Sequence, residues 1–323
     1  MIAIQLVDNA MMPPRIGGSR NARMFMYSLF SCIIAEAKEV FIIKNLTTRA
    51  GLRTIIDRYG IQTRKKLGQH FLVDPHVVDK IIYAADLSMD DCVLEIGPGP
   101  GGLTQAMLGY AGHIIAVELD KQLIPVLTDL FAGPNFTLVQ GDILKVNLSE
   151  ILAPHTGRPI KVVANLPYYI TTPVILYLLE SGLPFESITV MVQKEVAKRM
   201  AASPGTKDYG SLTLAVGYYA DVSLVANVPV NSFMPRPAVD SAVVKLVPRP
   251  APVVAADKTQ LFDVIHAAFN QRRKTLVNGL SSGLKMDKNH VADVLISCGF
   301  KPEVRGETLD MASFARIADK IFS

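Results

Sequence analysis

CVLEIGPGPGGLT, Cys92 to Thr104, decides how this chain folds. Cys92 to Ile96 is apolar apart from Glu95 and has the length of a buried strand. Gly97 to Gly102 (GPGPGG) then interrupts any regular structure, because glycine admits left-handed backbone and proline lacks an amide donor. From Leu103 to about Tyr110 the spacing predicts a helix. Strand, glycine turn and helix in that order open a βαβ unit, whose turn lies at the carboxyl edge of a parallel sheet.

The same alternation continues on both sides. Downstream, His113–Val117, Phe136–Gln140, Ile160–Ala164 and Ile188–Val192 read as strands, separated by helical segments at Lys121–Phe131 and Thr172–Glu180. Leu212–Val228 and Val239–Val247 read as two further β-rich stretches. Upstream, a basic amphipathic helix is expected from Leu46 to Tyr59, closed by Gly60, then a loop Lys65–Leu72, then a helix opened by Asp74-Pro75 and running to Leu87. This pattern predicts an α/β fold with a mostly parallel sheet and helices on both faces. Val247–Val254 (VPRPAPVV) reads as a linker, and the pattern beyond it is helical. The expected organisation is an extension over 1–43, a nucleotide-type ligand domain over 44–247 and a small helical domain over 248–323.

Of the 323 residues, 50% are hydrophobic and the formal net charge is +4, which suits one large core with a smaller companion. The basic excess is local: Lys44, Arg49, Arg53, Arg58, Arg64, Lys65 and Lys66 face a single acid, Asp57. Such a patch is either a solvated helix face or a footprint for phosphates. Three scattered cysteines, Cys32, Cys92 and Cys298, have neither disulfide-framework nor zinc spacing. We therefore expect an intracellular, metal-free protein with no membrane span. Met24–Ala35 follows three arginines and imitates a signal peptide, but it starts too far into the chain. We read residues 1–43 as a poorly ordered extension, with a later methionine as a possible true start.

Gly97, Gly99 and Gly102 satisfy the dinucleotide fingerprint, with Glu118 at the distance of a ribose acceptor. A nicotinamide dehydrogenase is therefore one reading. Against it, Pro98 and Pro100 remove two backbone donors that a pyrophosphate would need, and Glu95 adds negative charge nearby. A carboxylate suits a ligand carrying an ammonium and a sulfonium, as S-adenosyl-L-methionine does. Glu118 would then accept from its ribose hydroxyls and Asp142 from its adenine amino group. Each acid read singly is an ordinary strand-end or capping residue; three at successive strand ends beside a glycine turn favour the ligand.

At the end of the Ile160–Ala164 strand stands Asn165-Leu166-Pro167-Tyr168. Pro167 ends the ladder and turns the chain. An amide oxygen on Asn165 and the Leu166 carbonyl can accept both hydrogens of an exocyclic amine, and the Tyr168 ring can stack on the base that carries it.

The chain resembles the small-subunit (16S) ribosomal RNA adenine N6-dimethyltransferases, within the class I S-adenosylmethionine-dependent methyltransferases. The resemblance runs from about Lys44 to the C-terminus. It rests on KKLGQHFL (Lys65–Leu72), LEIGPGPGGLT (Leu94–Thr104), VELD (Val117–Asp120), Gly141-Asp142, NLPYYITTP (Asn165–Pro173), VQKEVAKRM (Val192–Met200), YGSL (Tyr209–Leu212), SFMPRPAVDSAVV (Ser232–Val244) and AFNQRRKTL (Ala268–Leu276). It implies a Rossmann-like sheet with helices on both faces plus a small C-terminal helical domain. It also implies dimethylation of two adjacent adenosines in a 3′-terminal hairpin of 16S rRNA during small-subunit biogenesis, in the cytoplasm, by a monomer. The cofactor residues it implies are His70, Leu72, Gly97, Glu118, Asp142 and Asn165, with His70 standing where the family more often has asparagine. Asn165, Leu166 and Tyr168 would serve the target base, and Phe233 is the candidate for its opposite face, with core packing as the alternative. Lys194, Lys198, Arg199 and Arg272–Lys274 join the basic patch as RNA candidates. Two rivals remain besides the dehydrogenase: a large-subunit rRNA adenine methyltransferase of the antibiotic-resistance type, disfavoured by AFNQRRKTL, and a non-catalytic assembly factor, disfavoured by the intact acids and NLPY.

Overall fold

A computed structural model describes residues 45–271 and 274–323. The expectations for residues 1–43, for Lys44 and for Arg272 and Arg273 lie outside the described residues. Helix α1 (Arg49–Tyr59) starts where Thr48 Oγ1 accepts from the Gly51 N–H and stops at Gly60, whose φ of 63° is left-handed. A short strand β1 (Phe71–Leu72) and helix α2 (Pro75–Ala85) follow. Pro75 occupies the first turn of α2 as expected, but Asp74 makes no capping bond; its Oδ2 accepts from Ser232 Oγ at 2.6 Å.

The centre is a seven-stranded sheet in the order β4-β3-β2-β5-β6-β9-β7. Its strands are β2 (Cys92–Ile96), β3 (His113–Glu118), β4 (Phe136–Gln140), β5 (Ile160–Asn165), β6 (Phe185–Gln193), β7 (Ala220–Val228) and β9 (Ser241–Pro248). The first five in that order run parallel, β9 runs antiparallel to β6, and β7, antiparallel to β9, runs in the direction of the first five. β1 pairs instead with β8 (Phe233–Met234). The chain winds outward from β2 toward β4 in one direction and from β5 toward β6 in the other. The switch point is the β2–β5 boundary, where Ile96 lies opposite Ala164. The ligand crevice of a doubly wound sheet forms there.

β2 and β5 are buried along both faces, as expected of central parallel strands. One face packs Leu94, Ile96, Val162, Ala164 and Val190 against Val174, Ile175 and Leu178 of the helix Thr171–Glu180. The other packs Val93, Val163 and Met191 against Val77, Val78 and Ile81 of α2.

Leu212–Val228 departs from the β-rich expectation in its first half. Ser211–Tyr219 is a helix, and only Ala220–Val228 is a strand. The helix is buried on several sides, through Leu212, Leu214, Val216 and Tyr218, so no polar stripe betrays its period. Its start is fixed by a local device, Thr213 Oγ1 accepting from the Gly210 N–H at 3.1 Å. The β9 strand also takes up Val247 and Pro248, the first residues of the expected linker. Helices Lys258–Asn270, Leu276–Leu284, Lys288–Ser297 and Met311–Ile321 then build a second core around Leu261, Ile265, Leu280, Leu295 and Phe314. Tyr209, Leu214 and Tyr218 join that core.

Candidate active site

The cleft at the switch point is bounded by the loop before β1, the glycine turn after β2, and the ends of β3, β4 and β5. Its glycine half is held by backbone. The Gly97 N–H donates to the Val117 carbonyl, Gly99 to Glu118 Oε2 at 3.1 Å and Gly101 to the Pro98 carbonyl. With these donors engaged and two prolines between them, the turn has little to offer a pyrophosphate. Gly97 has φ of 65°, and a Cβ there would meet nothing within 4 Å, so its space is the open floor of the cleft. Gly101 is different: at φ of 92°, a Cβ would stand 2.3 Å from the Phe131 ring, so that glycine serves packing.

Glu118 is 6% exposed and held by two backbone donors, Gly99 and the Asp120 N–H at 2.7 Å. Burial pushes its carboxyl up to about 7, and those two N–H groups pull only partly against it. Asp142 follows β4; its Oδ1 accepts from the Leu144 N–H at 3.1 Å, leaving Oδ2 with a loose Lys145 partner at 3.9 Å.

The other half is assembled by side chains from distant segments. Asn165 Nδ2 donates to the His70 carbonyl at 2.9 Å. A carbonyl only accepts, so the amide's orientation is fixed and Oδ1 is the end left for a ligand. The Leu166 side chain is buried at 1% exposure and its N–H donates to the Met191 carbonyl, which anchors the backbone whose carbonyl borders the cleft. Tyr168 is fixed by its hydroxyl, 2.8 Å from Ser241 Oγ, and its ring stacks with His70 at 5.7 Å between centroids.

His70, Leu72, Gly97, Glu118, Asp142, Asn165, Leu166 and Tyr168 all line this one cleft. Phe233 does not. It is 1% exposed and packs in the core with Leu72, Val77, Val78 and Ile81. An apolar ring next to the β1–β8 pairing is stabilised by burial there, which corrects its assignment to the base's opposite face. Glu95 is likewise off the cleft wall, 1% exposed, with Oε2 accepting from Thr104 Oγ1 at 2.6 Å and Oε1 without a partner. Burial pushes it to about 8.

Part of the basic patch faces inward. Arg49 donates to the Asn231 and Phe233 carbonyls, and Arg64 pairs with Asp120 at 3.3 Å. Arg53, Arg58, Lys66, Lys198, Arg199 and Lys274 are exposed. Lys194 lies 3.8 Å from Asp240. Sequence reasoning gave Asp120 no task. It is 1% exposed and also accepts from Gln69 Nε2 at 2.8 Å, so it ties the loop that carries His70 to the strand that carries Glu118. The signal was present in VELD, a second acid two residues after the first.

A doubly wound sheet whose switch-point cleft joins a glycine turn, two strand-end acids and NLPY is a class I methyltransferase. The chain belongs to the family described as Ribosomal RNA adenine dimethylase, which it matches over residues 60–321. It is 50% identical over 273 residues to a ribosomal RNA small subunit methyltransferase A of Lachnoclostridium phytofermentans, covering 83% of this chain and 94% of that protein. It is 45% identical over 285 residues to the Geobacillus kaustophilus protein of the same name, covering 86% and 97%. Among solved structures it resembles a dimethyladenosine transferase from Plasmodium falciparum, with 30% identity, a TM-score of 0.66 and coverage of 77% and 96%. It also resembles the 23S rRNA methyltransferase ErmE, with 25% identity, a TM-score of 0.59 and coverage of 78% and 100%.

Proposed function

We propose that the protein dimethylates N6 of two adjacent adenosines in a 3′-terminal hairpin of small-subunit 16S rRNA, during small-subunit biogenesis. The enzyme is an S-adenosylmethionine-dependent rRNA adenine dimethyltransferase. The observation that carries the base assignment is Asn165: its amide nitrogen is taken by the His70 carbonyl, so its oxygen stands ready at the end of β5, across from the glycine turn.

S-adenosylmethionine supplies an electrophilic methyl group on a positively charged sulfur. Gly97, with open space above it, would admit the cofactor; Glu118 would take its ribose hydroxyls and Asp142 its adenine amino group, and His70, Leu72 and Asn165, which line the same cleft, would complete its site. The adenine N6 lone pair is delocalised into the ring and is a poor nucleophile. Asn165 Oδ1 and the Leu166 carbonyl accept the two N6 hydrogens and draw the nitrogen toward tetrahedral geometry, which localises the lone pair. This is catalysis by positioning and preorganised acceptors. Tyr168 stacks on the base once it leaves its helix. The N6 proton becomes acidic on methylation, so these residues need supply no strong base. In the second round one acceptor holds the remaining hydrogen.

The 42–50% identity to small-subunit enzymes favours that rRNA over the large-subunit rRNA of the ErmE type. The exposed cations Arg53, Arg58, Lys66, Lys198, Arg199 and Lys274 are the phosphate contacts we assign, and RNA affinity is expected to fall steeply with salt; a flat response contradicts that assignment. We place the protein in the cytoplasm as a monomer. Among the described residues no helix is long and apolar enough to cross a membrane. The test is mass spectrometry of rRNA nucleosides after undermethylated small or large subunits meet protein and cofactor. N6,N6-dimethyladenosine in small-subunit rRNA is expected. Its absence there, or its appearance only in large-subunit rRNA, overturns the reading.

A further inference from the structure

A second hollow, of about 330 Å³, opens where the methyltransferase sheet meets the C-terminal core. That volume is at the small end for a ligand pocket. Glu195 and Arg199 stand one turn apart on the helix Lys194–Met200 and form one side. Lys207, Asp208 and Gly210 lie on the segment that leads into the helix Ser211–Tyr219, and Phe269 comes from the helix Lys258–Asn270. The Phe269 ring is braced by the rings of Tyr209 at 6.1 Å and Phe314 at 5.9 Å, both members of the C-terminal core. Gly210 has φ of −178°, extended backbone that any residue adopts, and a Cβ there would meet only Phe269, at 3.9 Å. Neither strain nor a clash asks for glycine at this position. Its effect is to leave the Phe269 ring bare. We propose that this groove holds a nucleotide of the RNA substrate that neighbours the target adenosine, with its base against Phe269, its phosphate on Arg199 and Lys207, and the N–H edge of its base on Glu195 and Asp208.

The mixture of groups selects the ligand class. Two carboxylates would repel a lone phosphate, and an apolar ligand would strand four charged side chains away from water. A nucleotide offers a flat face for the ring, an anion for the two cations and amino hydrogens for the two acids. The groove also lies on the sheet edge that carries the cleft. The Tyr168 hydroxyl is 2.8 Å from Ser241 Oγ, and the preceding residue, Asp240, accepts from the Lys194 N–H at 3.0 Å and pairs with its Nζ at 3.8 Å. Lys194 is the first residue of the helix that carries Glu195 and Arg199. An enzyme that takes two adjacent adenosines in turn into one cleft needs the strand held in register. A neighbouring nucleotide fixed outside the cleft supplies that hold.

This inference rests on the rRNA methyltransferase reading, and the experiment separates their failures. Wild-type enzyme must first dimethylate small-subunit rRNA; no product there defeats both. Then Gly210→Ala, Gly210→Val and Phe269→Leu are compared in KM and kcat for undermethylated small subunits, with cofactor Kd measured by calorimetry on the whole protein. A lost stacking contact predicts a rise in KM of about 5- to 150-fold for Gly210→Val, which fills the groove, and for Phe269→Leu, which keeps apolar bulk for the core but removes the ring. Gly210→Ala, whose single methyl makes an ordinary contact, is expected to raise KM far less. Cofactor Kd is expected to stay at the wild-type value in all three. Arg199→Gln is expected to lower the slope of log affinity against log salt by about one. A photo-reactive p-benzoylphenylalanine in place of Lys207 is expected to cross-link to the rRNA hairpin that carries the dimethylated adenosines. Wild-type KM in Gly210→Val or Phe269→Leu, equal effects of alanine and valine, a Kd that weakens in step with KM, an unchanged salt slope, or cross-links to ribosomal protein alone overturns the proposal.

Discussion

The two halves of the cleft are built by opposite means. On the glycine side the machinery is backbone: a turn whose left-handed φ at Gly97 favours glycine, and a carboxylate at Glu118 gripped by N–H groups of residues 99 and 120. On the NLPY side it is side chains reaching across the chain, Asn165 to the carbonyl of residue 70, Tyr168 to the Ser241 hydroxyl, and His70 to the Pro235 carbonyl. Glu118 and Gly99 are 19 residues apart in sequence, His70 and Pro235 165. On the proposed reading, the glycine side takes the small cofactor. The NLPY side, on the same reading, would select one base and aim one nitrogen, which needs groups whose positions are set independently.

The sharpest way to break this comparison is Asn165→Ala. A preorganised acceptor of this kind contributes about 10²-fold or more, so methyl transfer should fall by that factor while circular dichroism reports an intact fold. A residual rate above about a tenth of wild type contradicts the assigned role. Next is Glu118→Gln, which strikes the glycine side and should be read in cofactor binding. Hydrogen bonds to a charged acceptor are worth about 1.5–3 kcal/mol, roughly ten- to a hundredfold in Kd. With the Glu118 carboxyl raised to about 7, it ionises as pH climbs through neutrality, so affinity for a cationic ligand should increase from pH 6 to 8 in the wild type. The Gln variant should lose that slope; a slope retained by the variant assigns it elsewhere.

The same contrast explains what could be read from the sequence. The glycine turn, the strand-end acids and the parallel sheet follow from local residue types at fixed spacing, and the structure has them at the expected strand ends. Phe233, in the SFMPRP loop, is a candidate for the base's opposite face by resemblance, with core packing as the alternative. Its burial depends on the β1–β8 pairing, a contact between residues 72 and 233 that no local pattern encodes. The helix Ser211–Tyr219 was hidden because both of its sides are covered, one by the sheet core through Leu212 and Val216, the other by the C-terminal core through Leu214 and Tyr218. The tie that Asp120 makes to Gln69 and Arg64 is also a product of assembly.

Asp120→Asn tests whether the halves communicate. The carboxylate holds Gln69 and Arg64, and through them the loop that presents His70 to Asn165. Arg64 is about half exposed, so solvent screens much of the pair, and a loss near 1 kcal/mol is expected. Hydrogen exchange over residues 64–72 should quicken, with a few-fold loss in cofactor affinity. Unchanged exchange would mean that the loop is held by its other contacts and that the halves are independent.

The smallest effect on catalysis is expected from Glu95→Gln, because that side chain lies beneath the turn instead of in the cleft. Its consequence belongs to stability. Burial raises the folded carboxyl from 4.5 to about 8, with the Thr104 hydroxyl only partly opposing it. Below the unfolded value both states are protonated. Between the two values the unfolded chain ionises while the folded one holds its proton, so stability drains away as pH rises, by at most about 1.4 kcal/mol per unit. Above the folded value the decline ends, with a buried carboxylate that has one hydrogen bond and one orphaned oxygen. Glutamine resembles the protonated acid in shape and keeps an acceptor for Thr104. The cofactor-free variant should therefore show a shallower fall in Tm from pH 6 to 8.5 and surpass the wild type at the upper end. Parallel curves would mean that Glu95 is ionised throughout, and that the turn is supported by a fixed charge beneath it as well as by its own backbone.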